Sequence, residues 1–177
     1  MDSSSGHKSW KILCWNVRGL NSDKKWDSSE IISLKVIMTS FASRKQREKV
    51  LIFSLLRASF GNFEFLPSVG ASRGILTVWK SHLFHGHRVF SNDFCLPVDF
   101  TSKHNGSTCV LTNIYAKCTP PGKQILLQWL KNIQMPSEVN WLLEGDFNLI
   151  RKPENKNRPG GDITEILHFN EALSALG

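Results

Sequence analysis

Three short apolar runs, Lys11 to Trp15, Gly74 to Trp79 and Trp141 to Leu143, are nearly free of the polar and apolar alternation of a half-exposed strand. A strand can be continuously apolar only where both of its faces are covered, which points to a layered α/β fold. Thr108 to Tyr115, rich in β-branched residues, predicts a fourth strand. Helical spacing appears at Leu126, Trp129, Leu130 and Ile133, and again at Ile163, Ile166, Leu167, Asn170 and Leu173. Asp162, three residues before Glu165, predicts the start of the second helix by an acidic variant of the capping box. Pro120-Pro121-Gly122, Pro153 and Pro159-Gly160-Gly161 read as loops. The result is an α/β chain without internal repeats, with a disordered start over residues 1–8. Its last residue, Gly177, directly follows the second helix, an abrupt stop for a layered fold that predicts an incomplete domain.

With 177 residues, 41% of them hydrophobic, the chain has the material for one globular core. No apolar run approaches the roughly 20 residues of a membrane helix, and Met1 to Lys8 lacks the apolar stretch of a signal peptide, so an intracellular protein is expected. Cys14, Cys95, Cys109 and Cys118 form no C-x-x-C pair and read as buried thiols. His82, His85 and His87 are close in sequence but read as solvated loop residues, not a metal cluster. The net charge of +7 favours a polyanionic partner such as DNA. Its distribution weakens that argument: residues 28–62 hold six basic side chains against Glu30 and Glu48, more than half of the excess. A binding module without chemistry would use Lys8, Lys11, Arg18, Lys24, Lys25, Arg151, Lys152, Lys156 and Arg158, and its affinity would fall with salt.

Polar residues stand at the ends of the apolar runs. Asn16 follows the first, Tyr115 closes Asn113-Ile114-Tyr115, and Asp146 and Asn148 follow the last in Glu144-Gly145-Asp146-Phe147-Asn148. In extended backbone Asp146 and Asn148 would face the same way. Singly, each has a plain structural explanation as a turn residue or a half-buried aromatic. Together, an acid, two amides and a phenol suit phosphodiester hydrolysis: the carboxylate orients a water or a metal, and the donors stabilise charge on phosphate oxygens.

W-N-V-R-G-L near the amino terminus, N-I-Y about a hundred residues later and G-D-F-N after that resemble, in order and spacing, the endonuclease/exonuclease/phosphatase family. The nearest likeness is to the apurinic-type endonuclease domains of plant LINE retrotransposons, with further matches at Phe63 to Gly74, Lys117 to Lys123 and Asn155 to Gly161. The similarity covers residues 9–27 and 63–177. It implies a two-sheet α/β sandwich with outer helices, here incomplete, a Mg²⁺ cofactor, DNA as substrate and a nuclear location. By the same resemblance Asn16 would lie beside the metal, Tyr115 would contact the scissile phosphate, Asp146 would orient the attacking water and Asn148 would bind a phosphate oxygen.

The departures from the pattern predict lost catalysis. Where the family has a C-L-Q-E-T-K strand whose glutamate is the principal Mg²⁺ ligand, this chain reads Phe41-Ala42-Ser43-Arg44-Lys45-Gln46-Arg47, with cations in place of the acid. The genetic code offers a cause. Phe41 to Arg47 can be encoded TTT GCC TCC AGG AAA CAA AGA, which from its third base reads C-L-Q-E-T-K. A compensated pair of frameshifts, near Ser28 and near Phe60, would make residues 28–62 a segment not selected to fold. Ala116 stands where the relatives have glycine, with an expected stiffening of the loop beside Tyr115. Arg73 replaces a small residue. None of the six histidines maps onto the family's catalytic histidine.

Overall fold

A computed structural model describes residues 11–14, 36–39, 60–67, 74–90, 92–134, 138–155 and 162–176, the first two segments by their backbone. Among the described residues, eight strands form two four-stranded sheets. The first has the order β1 (Lys11–Cys14), β2 (Val36–Thr39), β4 (Ile75–Lys80), β3 (Gly61–Leu66). The second runs β5 (Phe84–Arg88), β6 (Cys95–Ser102), β7 (Thr108–Tyr115), β8 (Trp141–Asp146). β1 and β2 are parallel, as are β7 and β8, and the other pairings are antiparallel. Helix α1 (Pro120–Asn132) makes the crossover between β7 and β8, and α2 (Ile163–Ser174) follows a 3₁₀ turn at Pro153–Asn155. No described helix is long and apolar enough to cross a membrane.

Strand alternation divides the core in two. Leu96, Val98 and Phe100 of β6 and Leu111 of β7 meet Ile75 and Trp79 of β4 between the sheets. Phe100 is fully buried, with Trp79 and Phe84 edge-on to it at ring separations of 5.2 and 6.2 Å. Side chains on the opposite face of the second sheet, Cys95 and Ile114, pack with Ala116 under the helices against Leu126, Leu130, Phe169 and Ala172. α1 and α2 are therefore outer helices, as expected. Among the described residues, Arg88 of β5 reaches Glu64 of β3 at 2.6 Å between the sheets, and Lys123 of α1 reaches Glu165 of α2 at 2.6 Å within the helical layer.

Several local expectations are corrected. Pro120-Pro121-Gly122 is the first turn of α1, not a loop: a proline at either of the first two positions gives up only N–H groups that have no helical partner. In α2 the buried stripe is Ile166, Phe169 and Ala172, while Ile163 and Leu167 face solvent. The capping box is half formed. Asp162 accepts from the Thr164 and Glu165 amides at 2.9 and 3.4 Å, but the Glu165 carboxylate turns to Lys123. Asp162→Ala is expected to cost about 1 kcal/mol, seen as a drop of a few degrees in melting temperature.

β8 is not covered on both sides. It is the edge of its sheet, and Leu142 is exposed. β4, by contrast, is buried from Ile75 to Trp79. His85 and His87 lie exposed on β5 instead of in a loop, and among the described residues no group of three His, Cys, Asp or Glu side chains could hold a metal. Among the described cysteines Cys95 is the fully buried thiol, its pKa pushed up to about 12 by desolvation. Cys109 is partly buried, Cys118 is exposed and Cys14 lies outside the residues with described side chains. β2 and the first two residues of β3 fall inside residues 28–62.

Candidate functional site

The register gathers four strand ends. Asn113 on the inner face of β7 donates from Nδ2 to the Leu76 carbonyl at 3.2 Å and to Thr77 Oγ1 at 3.4 Å, so the carboxyl end of β7 meets the amino end of β4. Thr77 pairs with Thr39, the last residue of β2, and Thr39 pairs with Cys14, the last of β1. β8 ends beside β7, with Tyr115 opposite Asp146. The carboxyl ends of β1, β2, β7 and β8 thus lie at one end of the sandwich, a place where α/β folds carry loops free to vary in chemistry.

Tyr115, Asp146 and Asn148 are together here. Tyr115 is half-buried and packs against the inter-sheet core. Asp146 closes β8, and its Oδ1 accepts the Asn148 backbone N–H at 3.1 Å. This corrects the expectation that Asp146 and Asn148 share a face of extended chain. The strand ends at Asp146, and Asn148 turns back with a φ of 49°, a left-handed conformation that asparagine tolerates better than most residues. One Asn148 Nδ2 hydrogen is used on the Ala116 carbonyl at 2.6 Å, which leaves the second for a phosphate oxygen. The Ala116 N–H in turn donates to the Asp146 carbonyl at 2.9 Å. Ala116 has no positive φ and its methyl is buried under the helices, so the loop beside Tyr115 does not require glycine at this position.

Gly145 is required by contrast. Its φ is 122°, and a Cβ there would stand 2.0 Å from the Ile114 carbonyl oxygen. The β7 and β8 backbones approach too closely for any side chain, and this close approach aligns Asp146 with Tyr115.

Asn16, Arg73 and the Phe41 to Arg47 stretch lie outside the described residues, as do most of the basic side chains of a binding module. Arg151 and Lys152 are described and exposed, with Arg151 Nε on Asn170 Oδ1 at 3.1 Å. Two inner-face residues were given no role by the sequence motifs that contain them. Asn113 is fully buried, and its Oδ1 has no hydrogen-bond partner. Glu144, directly opposite Asn113 in the ladder, has a buried Oε1. The signal was available: Glu144 is two residues before Asp146 in a strand, hence on the same face. On the other side of β8, an apolar pocket of about 370 Å³ between Leu143, Phe147, Phe169 and Leu173 belongs to the helix-covered layer.

Two solved structures share this architecture. A humanized D. rerio TDP2 aligns with a TM-score of 0.53 at 16% identity, covering 92% of this chain and 78% of that one. ANGEL2, a 2′,3′-cyclic phosphatase in complex with adenosine-2′,3′-vanadate, aligns with a TM-score of 0.52 at 15% identity, covering 69% of this chain and 42% of that one. The fold is that of the endonuclease/exonuclease/phosphatase enzymes. This chain spans less than half the length of the ANGEL2 chain. No family model and no curated protein matches the sequence. At these identities the likeness is one of endonuclease/exonuclease/phosphatase fold alone.

Proposed function

We propose that the chain derives from a Mg²⁺-dependent DNA endonuclease domain of a LINE-type retrotransposon and has lost catalytic activity. The observation that supports phosphodiester chemistry is the meeting of Tyr115 and Asp146 in register, with Asn148 hydrogen-bonded to Asp146, at the end where the endonuclease-like motifs of the sequence converge. In an active site of this kind the Asp146 carboxylate would orient a water, and the Tyr115 hydroxyl and the remaining Asn148 N–H would hold phosphate oxygens.

The oxygen atoms at this end, on Glu144, Asp146 and Asn113, are of the kind a hard cation takes, so the donor chemistry fits Mg²⁺. When bound, the metal would supply charge neutralisation at the phosphate. One feature supports loss of activity: where the family has its principal metal-binding glutamate, this chain has the Arg44-Lys45 stretch. Affinity for Mg²⁺ through the family's own ligand set should be poor.

The expected result is that the folded chain leaves supercoiled plasmid intact in Mg²⁺ and that Asp146→Ala changes nothing. Nicking by the parent chain that Asp146→Ala abolishes would replace this reading by that of an active endonuclease, the second reading that the survival of Tyr115, Asp146 and Asn148 favours. Salt-sensitive DNA binding indifferent to Asp146→Ala would instead describe a binding module.

A further inference from the structure

The turn between β6 and β7 holds the one Asn-Gly step in the sequence, Asn105-Gly106, followed by Ser107. It lies at the opposite end of the second sheet from Tyr115 and Asp146, since β6 enters it at Ser102 and β7 leaves it at Thr108. Lys103 to Gly106 are exposed, and Gly106 stands at a φ of 70° with nothing within 4 Å of where a Cβ would be. The amide nitrogen that follows Asn105 is therefore unshielded by any side chain of its own.

The Asn105 side chain is held in place. Its Oδ1 accepts from the Ser107 N–H at 3.2 Å and from the Ser107 hydroxyl at 2.8 Å. The ring closed by the first of these bonds runs through both Cγ and the Gly106 nitrogen, the two atoms that an imide closure would join. Two donors on one carbonyl oxygen draw charge from Cγ and would stabilise the oxyanion formed when a nucleophile adds there. One bond opposes the reaction: the Gly106 N–H donates to the Ser102 carbonyl at 2.9 Å. At an exposed turn tip such a bond opens at small cost, which frees the nitrogen without unfolding the sheet.

We propose that Asn105 is a site of spontaneous deamidation in the folded chain, with Ser107 activating its side-chain carbonyl. The Gly106 nitrogen gives its proton to solvent base and bonds to Asn105 Cγ. The Cγ–Nδ2 bond breaks, and Nδ2 takes up a proton and leaves as ammonia. The succinimide so formed is opened by a water molecule: cleavage at Cγ gives aspartate, and cleavage at the main-chain carbonyl gives isoaspartate, with the main chain now running through Cγ. Either product adds one negative charge beside Lys103 and His104. Isoaspartate also lengthens the main chain between Ser102 and Ser107, whose backbone bond at 2.8 Å closes the turn, so that product loosens the hairpin.

The test incubates the folded full chain in mildly alkaline buffer made with heavy-oxygen water, in parallel with the chain in urea, and follows each asparagine by peptide mapping and mass spectrometry. In the folded chain Asn105 is expected to convert about tenfold faster than Asn92, Asn132 or Asn140, none of which precedes a glycine. It should take up one heavy oxygen and yield isoaspartate in excess of aspartate. Ser107→Ala keeps the Asn-Gly step but removes the hydroxyl donor. It should slow the folded-state reaction several-fold and leave the rate in urea unchanged, with circular dichroism like that of the parent chain. Conversion in urea alone, or equal folded-state rates in the parent chain and Ser107→Ala, would overturn the proposal.

Discussion

Gly145→Ala is expected to lower the melting temperature by about 10 °C, the consequence of a loss above roughly 3 kcal/mol in a domain of this size. Two costs add. An alanine at φ 122° is strained wherever it stands, and its methyl would overlap the Ile114 carbonyl oxygen at 2.0 Å. That oxygen belongs to the backbone of the partner strand, so no rotamer change relieves the clash. The strands must separate at the end where Tyr115 faces Asp146 and Ala116 is bonded to both Asp146 and Asn148. A thermal melt followed by circular dichroism reads the stability. An alanine variant that melts with the parent chain would mean that β7 and β8 do not approach as closely as described.

Phe100→Ala should be comparably damaging, at about 3 to 5 kcal/mol, because a fully buried aromatic is removed from the centre of the inter-sheet layer. Trp79 on β4 and Phe84 on β5 both lose an edge-to-face partner, and the close-packed sheets that carry them cannot close the cavity. Phe90→Ala is the matched control. Phe90 is 36% exposed and outside either core cluster, so its loss should shift the melt by a degree or two. Equal effects of the two substitutions would contradict the placement of the core.

The layered α/β architecture was legible because β4 and β7 announce themselves: an unbroken apolar run and a β-branched stretch leave few alternatives. The helices were legible in place but less so in orientation. Ile163 and Leu167 fit the helical period yet face solvent, since periodicity locates an apolar stripe without saying which of two overlapping stripes finds a partner. β5 and β6 were not seen in advance. Phe84–Arg88 is two histidines, a glycine and an arginine after one aromatic, and it is a strand because β6 pairs with it, not through its own propensity.

The site divides similarly. Tyr115 and Asp146 could be named from their positions after apolar runs, and the ladder puts them opposite one another. The route by which Asn148 joins them was misjudged, because the left-handed turn after Asp146 depends on a close β7 to β8 approach that a single strand cannot reveal. Asn113 and Glu144 were hidden for a different reason. Asn113 was read only as part of the N-I-Y motif and Glu144 only as the residue that leads into Gly145-Asp146, and pairing across the sheet shows that they stand side by side.

The most direct test of the account is single-turnover cleavage of an end-labelled DNA duplex by an excess of the folded chain, in Mg²⁺ and in EDTA, with circular dichroism recorded on the same sample. The account predicts a folded α/β spectrum and no EDTA-sensitive cleavage. Cleavage that both EDTA and Asp146→Ala abolish would contradict it, and would show that the ends of β7 and β8 still form a working phosphodiesterase site.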